Sequence, residues 1–177
     1  MGAEPGRVVL VGFMGAGKST VGPLLADLLG WRFLDLDDRI EERAGLSVVR
    51  FFAERGEPAF REAERQAAEE LGEARETVLA TGGGAFAQPA TREALRRNAV
   101  TVWLRVDLTT AMRRLPRDAS RPLAGNRAIM ERLLAQREPA YALADLEVEA
   151  EDDPVTVARH IVAGLRERGF LGGRSDS

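Results

Sequence analysis

Residues 8–20 read VVLVGFMGAGKST, and this stretch predicts both the fold and the chemistry. Its first four residues are apolar and are typical of a buried strand. The pattern that follows, GxxxxGK(S/T), is typical of a phosphate-binding loop and is filled by Gly12, Gly17, Lys18 and Ser19. In such a loop the backbone N–H groups surround phosphate oxygens, and the serine hydroxyl ligates Mg²⁺. The stretch therefore predicts a strand, a nucleotide-binding loop and a helix that begins near Thr20.

Lysine usage supports a chemical role for the loop. Lysine and arginine together number 25, and Lys18 is the only lysine. The chain uses arginine at every other position of this charge. The lysine at position 18 therefore indicates that the loop requires a compact ammonium group. We expect the nucleotide phosphates to contact residues of this loop, namely Gly15, Ala16, Gly17, Lys18, Ser19 and Thr20.

Length and composition bound the remaining possibilities. A chain of 177 residues is an ordinary single domain, and its net charge of -3 offers no general attraction for nucleic acid or an anionic membrane. Cysteine is absent, which excludes disulfides and thiolate metal sites. The apolar run at the N-terminus is too short to cross a bilayer. We expect a cytoplasmic monomer with no nucleic-acid or membrane partner.

Strand and helix patterns alternate along the chain. Strands are predicted at 8–11, 31–36, 77–81, 99–106 and, weakly, 146–148. Helices are predicted at 21–29, 37–44, 47–55, 58–71, 89–97, 109–115, 127–137 and 154–168, the seventh ending near Pro139. This alternation predicts an α/β fold with a parallel sheet covered on both faces, interrupted by a helical insert.

Acidic residues follow the second predicted strand. Asp35 and Asp37 project to the same side if the segment is extended, which would direct one carboxylate to Mg²⁺ and one to an acceptor hydroxyl. Capping or a solvated position is the alternative for both. Asp38 is better explained as a helix N-cap, because Glu41 lies three residues later as in a capping box.

Three glycines follow the third strand. Thr81 runs into Gly82, Gly83 and Gly84, more glycine than a simple turn requires. Close backbone approach to a small ligand explains them, and a flexible loop is the alternative. The basic loop with Arg117 and Arg121 would act either as a lid that closes over the nucleotide or as a solvated surface loop.

Helical arginines and aromatic residues carry no functional signal of their own. Arg61 and Arg137 lie in charged helical segments, where a surface ion pair is the default, for instance Arg61 with Glu57 or Glu64. His160 and Tyr141 default to packing roles.

Taken together, the motifs resemble the shikimate kinase family over nearly the whole chain. The matching pieces are GFMGAGKST at 12–20, FLDLDDRIEERAG at 33–45, AFREAE at 59–64, TGGG at 81–84, SRPL at 120–123 and REPAY at 137–141. The resemblance implies a three-layer αβα P-loop fold with a five-stranded parallel sheet of order 2-3-1-4-5. It also implies transfer of the γ-phosphate of ATP, with Mg²⁺, to the 3-hydroxyl of shikimate, giving shikimate 3-phosphate and ADP in chorismate and aromatic amino acid biosynthesis.

The resemblance further implies a role for individual residues. The catalytic residues would be Lys18, Asp37 and Arg121. Beyond the phosphate loop, ATP would contact Arg114, Arg121 and Pro154. Shikimate would contact Asp37, Arg61, Gly82, Gly83, Gly84 and Arg137, the two arginines holding its carboxylate. Mg²⁺ would be held by Ser19 and, through water, by Asp35.

The family also implies a domain organisation. Residues 1–171 would form one kinase domain, with a substrate-binding insert at about 37–72, a lid at about 116–126 and a disordered tail at 172–177. One departure concerns the lid, where Leu123 is followed by Ala124 instead of the second leucine common in the family.

Three other classes were weighed against this one. A GTPase needs an (N/T)KxD motif, which is impossible when the only lysine is Lys18. A gluconate-type kinase shares the loop and the chain length, but the FREAE, TGGG and REPxY set argues against it. A non-catalytic nucleotide-binding relative would not need Lys18, Ser19, Asp37 and Arg121 together.

The solitary lysine generates a first prediction. Lys18→Arg keeps the charge but replaces a compact ammonium by a longer planar group, so we expect turnover to fall at least about a hundredfold, or about 2.7 kcal/mol of transition-state stabilisation. Steady-state release of ADP measures this. Activity near that of the parent would show that lysine at this position is an accident of composition.

Overall fold

The structure, a computed structural model, describes residues 5–115 and 126–172. The strands are β1 (Arg7–Val11), β2 (Arg32–Asp35), β3 (Thr77–Ala80), β4 (Ala99–Arg105) and β5 (Leu146–Glu149). The helices are α1 (Lys18–Leu29), α2 (Leu36–Ala44), α3 (Val48–Glu70), α4 (Pro89–Arg96), α5 (Leu108–Arg114), α6 (Arg127–Tyr141) and α7 (Pro154–Glu167). Two short 3₁₀ helices occur at Leu71–Glu73 and Ala85–Ala87.

All five strands are parallel, in the order β2-β3-β1-β4-β5. This confirms the α/β fold and the strand order that the family resemblance implied. Strand β1 is central, and every one of its residues is buried. The phosphate-binding loop leaves the carboxyl end of this strand, which is the edge of a parallel sheet where ligands bind.

Helices enclose the sheet in two groups. Helix α1 packs against α7, and α3 packs against α4. Complete burial of β1 is what a parallel strand with helices on both faces requires. Within residues 5–115 and 126–172, no helix is both long and apolar enough to span a membrane.

The two helices expected at 47–55 and 58–71 follow one another without a gap in α3 and are separated by a kink at Gly56, which takes the non-helical conformation φ 80°, ψ 172°. One helix end differs from the sequence expectation. Helix α6 does not end near Pro139 but continues to Tyr141. A proline removes one hydrogen bond from the helix ladder and bends the helix, but it does not always end it. The extra turn matters because Tyr141 reaches the candidate site.

A buried arginine joins the start of β1 to two helix ends. Arg7 is fully buried, and its guanidinium donates to Leu71 O at 2.9 Å and Arg97 O at 2.8 Å. Both carbonyls lie at helix C-termini, where the dipole favours a positive charge. Burial nevertheless lowers the pKa of Arg7. The arginine thereby holds the ends of α3 and α4 against the edge of the sheet opposite the phosphate loop.

Candidate active site

The phosphate-binding loop adopts a conformation that depends on glycine. Gly17 caps α1 with φ 94° and makes no side-chain capping bond, so the helix begins with backbone N–H groups directed out of its end. Gly15 has φ 80°, and a Cβ on it would lie 2.4 Å from Ala111 O. Lys18 is buried, and its Nζ donates to the carbonyls of Gly12 and Phe13. The loop is therefore a preformed anion site with one cation inside it.

Asp35 connects this loop to the helical insert. Its Oδ2 accepts a hydrogen bond from Ser19 Oγ at 3.0 Å, and its Oδ1 accepts one from Asp37 N at 2.9 Å. The second bond makes Asp35 the N-cap of α2. The assignment of the cap to Asp38 is wrong, because β2 ends at Asp35 and the helix begins at once. Glu41, the supposed capping-box partner, instead accepts from Val48 N at 2.8 Å.

Asp37 reaches the site by a different route from the one expected. It lies in the first turn of α2, not in an extended segment. A Cβ built on Gly82 would lie 3.1 Å from Asp37 Oδ1, so the carboxylate lies against the loop after β3. Asp35 and Asp37 still share one cavity, because the strand end and the first helical turn face the phosphate loop together.

This cavity has a volume of about 670 Å³. Its lining from the sequence-predicted set is Gly15, Ala16, Gly17, Lys18, Ser19, Thr20, Asp35, Asp37, Gly82, Gly83, Arg114 and Pro154. Arg61, Arg137 and Gly84 do not line it. The two guanidinium groups lie against Gly84 and Gly83 of the loop after β3, residues 82–84, which we call the glycine loop. The predicted nucleotide residues within the described ranges and the predicted acceptor aspartate therefore border one continuous space.

Arg61 is a partly buried member of an ion-pair cluster and not a surface residue. Its Nη1 lies 2.9 Å from Glu64 Oε1, and its Nε lies 3.5 Å from Glu57 Oε1. The Glu64 side chain is 1% exposed, whereas that of Glu57 is 66% exposed. The ion pairs that the helical spacing indicated both form, but the inner one is buried.

Glu64 is the most perturbed carboxyl group near the cavity. Burial raises its pKa to about 7, although the positive charges of Arg61 and Arg137 act in the opposite direction. The negative charge of Asp37 adds to the increase. Its Oε2 has no hydrogen-bond partner among the described residues. Glu64 is therefore poised to gain or lose a proton near neutral pH.

Helix α6 contributes the half-buried Arg137 and the tyrosine that its extra turn supplies. Tyr141 is fully buried and donates its hydroxyl hydrogen to Gly83 O. Burial raises the pKa of Tyr141 to about 12, so it remains a donor. Arg137 Nη1 would lie 3.1 Å from a Cβ on Gly83, and burial lowers the pKa of this guanidinium. Both side chains pack against Gly83 of the glycine loop.

Glu64 and Tyr141 are functional candidates that sequence reasoning missed. Glu64 belongs to the quoted AFREAE piece and lies one helical turn from Arg61, which was the available signal. Tyr141 closes the REPAY piece, but the expected helix end at Pro139 hid its position.

Arg114 lines the cavity beside the phosphate loop, where its Nη1 lies 3.5 Å from Ala16 O. Its guanidinium donates to Ala150 O at 2.8 Å and Glu151 O at 3.2 Å. It thereby joins the end of α5 to the segment that leads into Pro154. A planar cation beside a proline at the cavity wall suits an aromatic base.

Ser19 and Asp35 are the candidate ligands for Mg²⁺. No group of three or more His, Cys, Asp or Glu side chains is arranged to hold a metal in the described part of the chain. One hydroxyl and one carboxylate, paired at 3.0 Å, fit an ion that keeps several waters and takes its other ligands from phosphate oxygens. Arg121 and most of the predicted lid, 116–125, lie outside the described residues.

Comparison with known proteins places this geometry in a family. The family model described as Shikimate kinase matches residues 14–166. The shikimate kinase of Moorella thermoacetica is 46% identical over 165 residues, covering 92% of this chain and 95% of that protein.

Solved structures agree with the sequence comparison. Shikimate kinase from Acinetobacter baumannii in complex with shikimate has a TM-score of 0.88 and 35% identity, covering 93% of this chain and 95% of that one. A gluconokinase from Sinorhizobium meliloti reaches a TM-score of 0.64 at 20% identity, covering 94% of this chain and 95% of that one, which shows a shared fold alone. The chain belongs to the shikimate kinase family.

Proposed function

We propose that this protein is a shikimate kinase that transfers the γ-phosphate of ATP to the 3-hydroxyl of shikimate, giving shikimate 3-phosphate and ADP. The observation that carries the proposal is the single cavity in which the phosphate loop faces Asp37 and the glycine loop. Family membership supports the choice of acceptor. The activity belongs to chorismate and aromatic amino acid biosynthesis.

ATP, the phosphate donor, binds to the phosphate loop and to the cavity wall formed by Arg114 and Pro154. Residues 15–20 bind the phosphates through backbone N–H groups, and Lys18 neutralises charge on the transferring group. Arg114 and Pro154, which line the same cavity, hold the adenine. Arg121 reaches the phosphates from the lid, a role that stays a prediction from sequence.

The acceptor side uses two arginines and one aspartate. Arg61 and Arg137 bind the shikimate carboxylate, and Gly82, Gly83 and Gly84 allow the ring to approach the backbone. Asp37 orients the 3-hydroxyl and accepts its proton as the new O–P bond forms and the bond between the γ-phosphorus and the ADP oxygen breaks. The planar guanidinium pair suits a carboxylate because it offers parallel N–H donors.

Ser19 and Asp35 would hold Mg²⁺, the aspartate through water. When bound, the ion neutralises charge that develops on the phosphate oxygens. The hydrogen bond between these side chains orients both oxygens before any ion arrives.

The domain boundaries, the oligomeric state and the location of the protein remain predictions from the sequence. We propose that residues 1–171 act as one kinase domain with an insert at 37–72 and a lid at 116–126. A monomeric state, a cytoplasmic location and the absence of nucleic-acid or membrane partners also stay predictions.

The acceptor can be tested directly. With ATP and Mg²⁺, we expect shikimate to drive ADP release at roughly 1 to 100 per second. Gluconate and a reaction without acceptor are the controls. Turnover of gluconate but not shikimate would contradict the proposal, and so would nucleotide binding without acceptor-dependent turnover.

A matched pair of variants tests the base. Asp37→Asn should lower kcat by about 10² to 10⁴ and leave ATP affinity and Tm nearly unchanged, because it removes the proton acceptor and keeps the side-chain volume. Asp38→Asn removes the same charge from the next residue, which is exposed, and should cost little. Equal losses in both variants would indicate a general electrostatic effect and remove Asp37 from the mechanism.

Glu64 predicts a pH dependence of shikimate affinity. Its pKa is raised from an ordinary 4.5 to about 7 by burial, so it is ionised above that pH and neutral below it. The groups that face it are Arg61 on the same helix, Asp37 on α2 and Arg137 on α6. A bound carboxylate adds negative charge beside Glu64 and favours its protonated form. Shikimate affinity should therefore fall as pH rises through about 7, by at most about tenfold per pH unit for one proton.

Calorimetric titration with shikimate from pH 6 to 8.5 measures this dependence. Glu64→Gln should flatten the profile. Glu62→Gln is the matched control, since Glu62 is exposed on the same helix and pairs with Arg65. A profile unchanged by Glu64→Gln would assign the titration to another group.

A further inference from the structure

Gly84 has no conformational need to be glycine. Its backbone lies at φ -101°, ψ -8°, a region open to any residue. Space is what excludes a side chain there. A Cβ on Gly84 would lie 2.5 Å from Arg61 Nη2, 2.7 Å from Nη1 and 2.9 Å from Cζ, closer than any non-bonded carbon can approach. The guanidinium thus fills the volume that a methyl group would occupy.

The other sides of the Arg61 guanidinium are also bounded. Glu64 Oε1 accepts from Nη1 at 2.9 Å, and the guanidinium carbon lies 5.5 Å from the centre of the Phe60 ring. The whole side chain is 18% exposed. Gly84, Glu64 and Phe60 therefore surround the Arg61 guanidinium and restrict its conformation.

We propose that Gly84 is a positioning residue for the acceptor: the absence of its side chain seats the Arg61 guanidinium and so sets where the shikimate carboxylate binds. The inference rests on the proposed function, because Arg61 is the carboxylate ligand there. It differs from the expectation that the glycine contacts shikimate through its backbone. An alanine at this position keeps the backbone N–H and carbonyl and removes only the space.

Gly84→Ala is the direct test. The methyl group would push aside the end of a flexible side chain and not the backbone, so we expect the fold to persist. KM for shikimate should rise about tenfold or more, with KM for ATP, ADP affinity and Tm close to those of the parent. The backbone-contact explanation expects shikimate KM to stay within about twofold of the parent.

A double-mutant cycle with Arg61→Lys tests whether Gly84→Ala acts through the Arg61 guanidinium. Lysine ends in a compact ammonium without the planar fork that meets Gly84, so adding Gly84→Ala to Arg61→Lys should cost less than about threefold. A full loss in that background would mean that the methyl group touches the acceptor itself, and would overturn the proposal.

Gly72→Ala is the matched control, since a Cβ there meets no atom within 4 Å. It should behave as the parent in every measurement. Gly84→Ala with parental shikimate KM, or with equal losses of shikimate and ADP affinity, overturns the positioning role. Failure of the parent to phosphorylate shikimate would instead contradict the proposed function, so the two failures are distinguishable.

Discussion

One carboxylate joins the two halves of the candidate site. Asp35 accepts from the Ser19 hydroxyl with one oxygen and from the Asp37 backbone with the other. The first bond belongs to the phosphate loop, and the second starts the helical insert. Because Asp35 ends β2, the sheet itself fixes the distance between these two parts. A rigid strand thus links the donor and acceptor parts of the site, which favours precise positioning.

The acceptor end of the site is costly in electrostatic terms. Two arginines, a buried glutamate and an aspartate lie together there, and burial removes hydration from Glu64 and Arg137. Mutual pairing recovers only part of that loss, as the elevated pKa of Glu64 and the lowered pKa of Arg137 indicate. A ligand that brings its own negative charge to the arginines supplies the missing compensation. This arrangement of charges therefore suits an anionic acceptor better than a neutral sugar.

Local patterns predicted the phosphate loop, the insert and the alternation of strands and helices, because these depend on nearby residues. The strand order came from family resemblance, since periodicity does not specify which strands pair. The cap at Asp35 was misplaced because three aspartates stand within four positions and only the end of β2 decides among them. Burial of Arg61, Arg137 and Glu64 was not predictable from their charged helices, because it results from packing against a loop far away in sequence.

The central position of β1 has a consequence for how the protein is made. This strand is synthesised before the other four strands, yet its two neighbours are β3 and β4. Until β3 has been synthesised, both edges of this apolar strand lack their partners, and one edge stays unpaired until β4 follows, which is the situation that favours aggregation of nascent chains. Contacts between residues so far apart also slow folding. The element that organises the finished site is thus the one most in need of protection during synthesis.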